Sequence, residues 1–251
     1  MKQNEAIGIF DSGIGGVTVL KQLLNRLPNE KYMYYSDSKN NPYGDKSEQE
    51  INTFCENIVK FFIREKCKVI VIACNTASAK SAKWLREKYT SIPILAIEPA
   101  YKMVHDYAYH EETLVMATKA TIESEKFNSL YHTYDNHKTT LLPCVGLAEM
   151  IEEGKKEKIE KYLKRYLEPY KGKVKNVVLG CTHCPLIKQE IKQILGEVRF
   201  FDGAPYLAKH LENVLKEKDL INHESIKNTI QFIDSSNDEQ KKKRFFEIIK
   251  E

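Results

Sequence analysis

The sequence predicts an α/β fold of two pseudo-symmetric lobes, each a mostly parallel sheet flanked by helices. Short apolar runs alternate with helix-spaced segments along the chain, the pattern of a parallel sheet with right-handed crossovers. Those runs are rich in Val and Ile and lack polar alternation, as strands buried on both faces do. Two of them share a sequel: residues 69–76 read VIVIACNT and residues 177–183 read VVLGCTH. Each is an apolar run, a small residue, a cysteine and then two small polar or proton-handling residues. Cys74 and Cys181 therefore fall just past strand C-terminal ends, where open α/β sheets place their ligands. Two related halves would then present one thiol each to a single pocket. Thiols on opposite sides of one carbon can move a proton from one face to the other.

The elements follow in order. Ala6–Phe10 is an apolar strand, and Asp11-Ser12-Gly13-Ile14-Gly15-Gly16 is a glycine-rich turn. Val17, Leu20, Leu23, Leu24 and Leu27 recur at helical spacing, and Pro28-Asn29-Glu30 ends that helix. Tyr32–Tyr35 is a second strand, followed by the polar loop Ser36–Ser47 and the long amphipathic helix Glu48–Lys66. The strand Val69–Ala73 leads through the Cys74 turn into a helix to about Tyr89. Ile92–Ile97 is a further strand, ending at Glu98-Pro99-Ala100. The order then restarts. Thr113–Ala117 is a strand, Thr118–Ser124 a polar turn, Glu125–Tyr134 a helix and Thr139–Leu142 a strand. Gly146–Gly154 is a short helical stretch and Lys155–Tyr170 a charged helix. Val174–Gly180 is the second cysteine-bearing strand, Leu186–Leu195 a helix and Val198–Phe201 a strand. Ala204–Glu217 is helical, Thr229–Ile233 the last strand and Glu239–Ile249 the last helix. The boundaries fall near Glu98 and Ala204. Residues 1–97 plus 206–251 form the first lobe and residues 98–205 the second, with the tail returning to the first.

Composition narrows the class. A chain of 251 residues buries a sizeable core, and 29% charged with 42% hydrophobic residues is ordinary for a globular protein. The net charge of +4 is too weak to imply nucleic acid, because Lys and Glu are interspersed. The lysine-rich stretches 155–175 and 241–243 read as solvated helix faces. No apolar run approaches the roughly 20 residues that span a bilayer. The start, MKQNE, leads straight into a strand without a signal-peptide core, so the expected location is cytoplasmic. In a reducing compartment the six cysteines are thiols, with Cys55, Cys67 and Cys144 read as small buried hydrophobes.

Several constellations carry chemistry. The Asp11–Gly16 turn offers a carboxylate, a hydroxyl and close backbone approach to a ligand. It lacks the G-x-G-x-x-G spacing and the P-loop lysine of nucleotide sites, and a plain capped βα turn would look alike. Cys74-Asn75-Thr76 and Cys181-Thr182-His183 each place a thiol at a helix N-terminus, where the macrodipole and nearby donors favour thiolate. His183 is placed to assist Cys181 in proton transfer. Cys181 and Cys184 also make a Cys-x-x-Cys, suited to a redox dithiol or half a zinc site. No second Cys-x-x-Cys or nearby His pair completes a zinc site, and the preceding elements are in the wrong order for a thioredoxin-like fold. Pro42-Tyr43-Gly44 is a tight turn whose backbone N–H groups can bind a carboxylate, or a plain surface turn.

Together these residues resemble the glutamate racemases, a family within the aspartate/glutamate racemase superfamily. The matching pieces are GIFDSGIGG at 8–16, Pro42-Tyr43-Gly44, IACNTASA at 72–79, Ile97-Glu98-Pro99 and LGCTH at 179–183. The resemblance implies two pseudo-symmetric α/β lobes with the active site at their interface. It implies cofactor-independent racemisation of L- and D-glutamate, with no metal, supplying D-glutamate for peptidoglycan and hence for cell wall biogenesis and cell shape. By resemblance Cys74 and Cys181 are the acid/base thiols, Asp11 assists Cys74, and His183 with Glu152 assists Cys181. Substrate contacts fall to Asp11, Ser12, Pro42, Tyr43, Gly44, Asn75, Thr76, Thr182 and His183, and Thr118 and Thr121 hold its carboxylate or amine. The partner is a small molecule, glutamate, with no nucleic acid and no membrane, and the expected assembly is a homodimer.

The chain departs from the family at three places. Cys184 stands where Tyr is usual, Ser36–Asn41 replaces the common Gly-Asp-Thr-Ala-Arg, and 144–152 lacks the usual proline-rich pattern. Both thiols remain. Other readings are an aspartate racemase, since one methylene discriminates by only about 1–3 kcal/mol, a redox or zinc-binding protein using Cys181 and Cys184, and a non-catalytic binder on the same fold.

Overall fold

Buried Val/Ile strands and glycine-rich turns set the frame. The computed structural model describes residues 1–224 and 229–250. Along the chain it places β1 (Ile7–Asp11), α1 (Val17–Arg26), β2 (Lys31–Ser36), α2 (Glu48–Arg64), β3 (Val69–Ile72), α3 (Asn75–Lys88) and β4 (Ile94–Ala96). Next come α4 (Tyr101–Ala108), β5 (Thr113–Ala117), α5 (Lys119–Ile122), α6 (Glu125–Tyr134), β6 (Thr139–Pro143), α7 (Leu147–Glu152) and α8 (Lys156–Leu167). Then follow β7 (Asn176–Gly180), α9 (Lys188–Leu195), β8 (Arg199–Asp202), α10 (Ala204–Glu217), β9 (Thr229–Asp234) and α11 (Glu239–Lys250). Tyr43–Asp45, Glu168–Tyr170 and Cys184–Ile187 are 3₁₀ turns.

The chain divides into two compact units, Met1–Ile97 with Ala204–Glu251, and Glu98–Gly203. The first holds a sheet in the order β4-β3-β1-β2-β9 and the second a sheet in the order β6-β5-β7-β8. Every strand pair is parallel. With β5 to β8 matched to β1 to β4, the two orders coincide, and β9 extends the first sheet past β2.

Side-chain alternation sorts the cores. In the second unit Leu114, Met116, Val177 and Leu179 face a cluster built from α7, α8 and α9. Val115 and Val178, one residue out of phase, face α4 and α6 through Tyr101, Val104 and Phe127. In the first unit Phe10, Ile70 and Ile72 pack against Ile51, Ile58, Val59 and Phe62 of α2 and Ala82 and Leu85 of α3. On that face Gly8 is required: a Cβ there would lie 2.7 Å from the Phe62 ring. An aromatic group ties β9 and α11 to β2, with Phe245 centred 4.6 Å from Tyr34 and 4.3 Å from Phe232. α2 starts on a capping box, Ser47 and Glu50 bonding each other's backbone.

Two elements differ from the sequence reading. The helix α4 was not anticipated, although Tyr101, Val104 and Ala108 are buried at helical spacing. Thr118–Ser124 is not merely a polar turn: the Thr118 side chain accepts the Thr121 N–H and caps the short helix α5.

The first unit contains a buried ion pair. Lys68 Nζ lies 2.5 Å from Glu30 Oε2, with both side chains almost fully enclosed. The ammonium also donates to the carbonyl oxygens of Gln3 and Leu220. Burial pulls the Lys68 ammonium below its ordinary range, and Glu30 partly offsets that. Lys68→Met strands Glu30 as a buried charge, so a loss of about 3–5 kcal/mol in urea unfolding is expected. Lys68→Met with Glu30→Gln should recover part of it. Equal stability of Lys68→Met and wild type would show that the pair contributes nothing.

Candidate active site

Strand order dictates where a ligand can enter. From β1 the chain goes to β2 on one side and then to β3 on the other, so a crevice opens between the C-terminal ends of β1 and β3. In the second unit the same reversal falls between β5 and β7. Phe10 pairs with Ile72 and Ala117 with Gly180. This register sets Asp11-Ser12 beside Cys74, and Thr118 beside Cys181.

In the first unit Cys74 caps α3. Its sulfur accepts the Ala77 N–H at 3.5 Å and lies 3.7 Å from Ser12 Oγ. A helix N-terminus stabilises negative charge there. Asp11 is fully buried, and its carboxylate accepts the Gly16 N–H at 2.7 Å. Asn75 and Thr76 are buried on the first turn of α3. Among the described residues neither the Oδ1 nor the Nδ2 of Asn75 has a hydrogen-bond partner. A buried amide left in that state costs about 1–3 kcal/mol, which a polar ligand would relieve.

Gly16 closes this turn. A Cβ there would sit 2.7 Å from the Tyr34 hydroxyl, 2.8 Å from Asp11 Cβ and 2.9 Å from Ala73 Cβ. Its φ of −60° suits any residue, so the constraint is space alone. Gly16→Ala is expected to lower stability by about 1–3 kcal/mol by overpacking. A urea midpoint equal to wild type would sink that expectation.

Pro42, Tyr43 and Gly44 lie at the 3₁₀ turn. The Tyr43 ring is buried and its hydroxyl donates to Asp37 Oδ2 at 2.6 Å. Asn40 Nδ2 donates to the same carboxylate at 3.0 Å. Burial and then the nearby Cys55 and Asp37 push the phenol well up, so it stays protonated. The phenol is therefore committed to holding the turn. The loop reading did not find Asp37; its only signal was an acid lying between β2 and the Pro-Tyr-Gly turn.

In the second unit Cys181, Thr182 and His183 follow β7, and all three are buried. His183 Nδ1 lies 3.8 Å from Cys181 Sγ, and His183 Nε2 lies 2.8 Å from Glu152 Oε2. Glu152 ends α7, so the carboxylate, imidazole and thiol form one line. The Cys184 sulfur and burial push the Cys181 thiol well up, and His183 only partly opposes them. Burial alone would pull the imidazole down, but its bonds to Cys181 and Glu152 outweigh that and hold it well above 6.5. The two shifts point one way each: burial and Cys184 favour the thiol at Cys181, and the bonds to Cys181 and Glu152 favour the protonated imidazole at His183. Thr118 Oγ1 accepts the Thr121 N–H and donates to Thr121 Oγ1. A crevice here is lined by Thr118, Cys144, Leu147, Cys181, His183 and Cys184. Cys144, read from the sequence as packing, is thus a neighbour of Cys181. It too follows a strand end, its N–H donating to the Ala117 carbonyl.

Among the described residues no three His, Cys, Asp or Glu side chains are grouped to hold a metal ion. No helix among them is long and apolar enough to cross a membrane.

The chain is similar to known proteins. A glutamate racemase of Clostridium perfringens is 42% identical over 95% of this chain and 94% of its own length. The crystal structure of glutamate racemase from Francisella tularensis in complex with D-glutamate superposes with a TM-score of 0.83 at 34% identity, covering 98% of this chain and 94% of that one. That of Escherichia coli glutamate racemase with L-glutamate and the activator UDP-MurNAc-ala gives 0.85 at 27% identity, covering 98% and 95%. The family model for Asp/Glu/Hydantoin racemase matches residues 7–211, and the chain belongs to that family.

Proposed function

We propose that this chain interconverts L- and D-glutamate without a cofactor, using Cys74 and Cys181 as a pair of acid/base thiols on opposite faces of the α-carbon. The observation that carries the reading is the repeated placement of a thiol at the switch point of each sheet. The α-hydrogen of an amino acid is a very weak acid, so one sulfur must remove it as a thiolate while the other donates as a thiol. The two surroundings suit opposite states. Cys74 sits on a helix N-terminus with an N–H aimed at its sulfur, and Cys181 is held as the thiol. After a turnover the states are exchanged. His183, held as imidazolium by Glu152, then supports the Cys181 thiolate.

Charge that develops on the substrate carboxylate needs preorganised donors. The unpartnered Asn75 amide, the backbone at Thr76, Thr182 and Tyr43-Gly44, and the Ser12, Thr118 and Thr121 hydroxyls supply candidates. Asp11, anchored by the Gly16 N–H, is placed to assist Cys74. Each acid/base step contributes about 10²–10⁴-fold, and positioning and desolvation supply the remainder. Glutamate is the substrate that the named relatives share.

On this reading the enzyme works in the cytoplasm, as a homodimer, and supplies D-glutamate for peptidoglycan. Complementation of a bacterium that requires D-glutamate tests that role, and sedimentation tests the dimer. The chemistry is tested with reduced protein and L-glutamate in D2O, without pyridoxal phosphate, with aspartate in parallel. Loss of both optical rotation and the α-proton signal is expected with glutamate. Exchange with aspartate alone would move the substrate, and exchange with neither would remove the racemase reading.

A further inference from the structure

Cys184 has no part in the proton transfers above, and it is the position where this chain departs from the family's usual Tyr. We propose that Cys181 and Cys184 form a reversible thiol-oxidation site, in which a hydroperoxide oxidises Cys181 and Cys184 closes a disulfide onto it. Only the effect on activity rests on the racemase reading; the disulfide itself does not.

The turn supplies the geometry. The Cys184 N–H donates to the Cys181 carbonyl at 3.1 Å, closing a four-residue turn. Such a turn holds its first and last Cα atoms within about 7 Å. Disulfides span Cα separations of about 4.4–6.8 Å. The two residues line the same crevice, near enough for the Cys184 sulfur to push the Cys181 thiol up. The crosslink therefore needs rotation of side chains and no movement of β7 or of the core. Cys144 lines the crevice too, but its thiol points at the Leu142 carbonyl, 3.5 Å away. Cys184 is thus the better resolving thiol.

Exposure sets the order of events. Cys181 is 9% exposed and Cys184 1%, so the oxidant meets Cys181 first. The Cys181 thiol gives its proton to solvent, which later returns one to His183, and the resulting thiolate attacks one peroxide oxygen as the O–O bond breaks. The departing hydroxide takes a proton from His183, whose Nδ1 lies 3.8 Å from the sulfur, and leaves as water. Cys181 is now a sulfenic acid. Cys184 attacks that sulfur, the S–O bond breaks and a second water leaves with the Cys184 proton. Two thiols and one peroxide have become one disulfide and two waters. A small dithiol reverses the oxidation by exchange.

The test treats reduced full-length protein with equimolar hydrogen peroxide, blocks remaining thiols, and maps peptides while following exchange of the glutamate α-proton. Expected is a loss of two hydrogen masses, a crosslinked Cys181–Cys184 peptide, a matching fall in activity and recovery with dithiothreitol. Cys184→Ser, given at least two equivalents of peroxide and compared with its own untreated activity, should gain two oxygens at Cys181 and no longer recover. Cys144→Ser should crosslink as wild type does. A bond mapped to Cys144 or Cys74, or sulfinic acid at Cys181 in wild type, overturns the proposal. A Cys181–Cys184 bond in a protein that never racemises glutamate would uphold it and sink the racemase reading instead.

Discussion

Cys74→Ser and Cys181→Ser should each lower racemisation by about 10²–10⁴-fold in both directions. Serine keeps the shape of either side chain. Cys74 would still cap α3, and Cys181 would still end β7. Only proton affinity changes, because an alkoxide is far harder to form than a thiolate. The equilibrium constant between mirror-image amino acids is fixed at unity, so no variant can slow one direction of kcat/KM without slowing the other. Partial reactions are free of that constraint. With Cys74→Ser the Cys181 side can still exchange the α-proton of the enantiomer it faces, and with Cys181→Ser the Cys74 side can do the same for the other. NMR in D2O on each pure enantiomer reads this directly: exchange without inversion, for opposite enantiomers in the two variants. Wild-type racemisation by either variant would end the two-thiol mechanism.

Much of the frame was legible because its causes are local. A Val/Ile run such as 69–72 has no good alternative to a buried strand, and the Gly13, Gly15 and Gly16 that follow β1 favour a turn. The paired cysteines were legible because the same context occurs twice. What escaped depends on distance in sequence. Helix α4 carries its buried positions at helical spacing, but it is short and Ala100 offers no side-chain cap to mark its start. The Glu152 and His183 side chains meet from α7 and the loop after β7, and no spacing rule joins residues so far apart. Only the resemblance had paired them. Asp37 and Tyr43 are similar: the bond needs a loop to fold back, which composition does not reveal. Cys144 is a buried member of the core cluster, as its sequence suggests, and its nearness to Cys181 emerges only once β6 is set beside β5.

Glu152→Gln is the sharpest probe of the second half-site. Glutamine can still accept the His183 Nε2 proton but carries no charge. The loss of a charge-assisted bond, about 1.5–3 kcal/mol, corresponds to roughly 10- to 100-fold in kcat/KM. The pH dependence distinguishes this from simple damage. In wild type the bonds to Cys181 and Glu152 hold the imidazole well above 6.5 against burial. Without the carboxylate, burial acts with less opposition and the imidazole loses its proton at lower pH. The basic limb of the kcat/KM profile should therefore move to lower pH. Stability follows the same sign. A group raised in the folded state contributes fully below its unfolded value, here 6.5, and that contribution fades as pH rises through the folded value. The stability gap between wild type and Glu152→Gln should thus be widest below 6.5 and narrow on the alkaline side. A basic limb that stays in place, with activity reduced, would mean that Glu152 fixes only the orientation of His183 and not its charge.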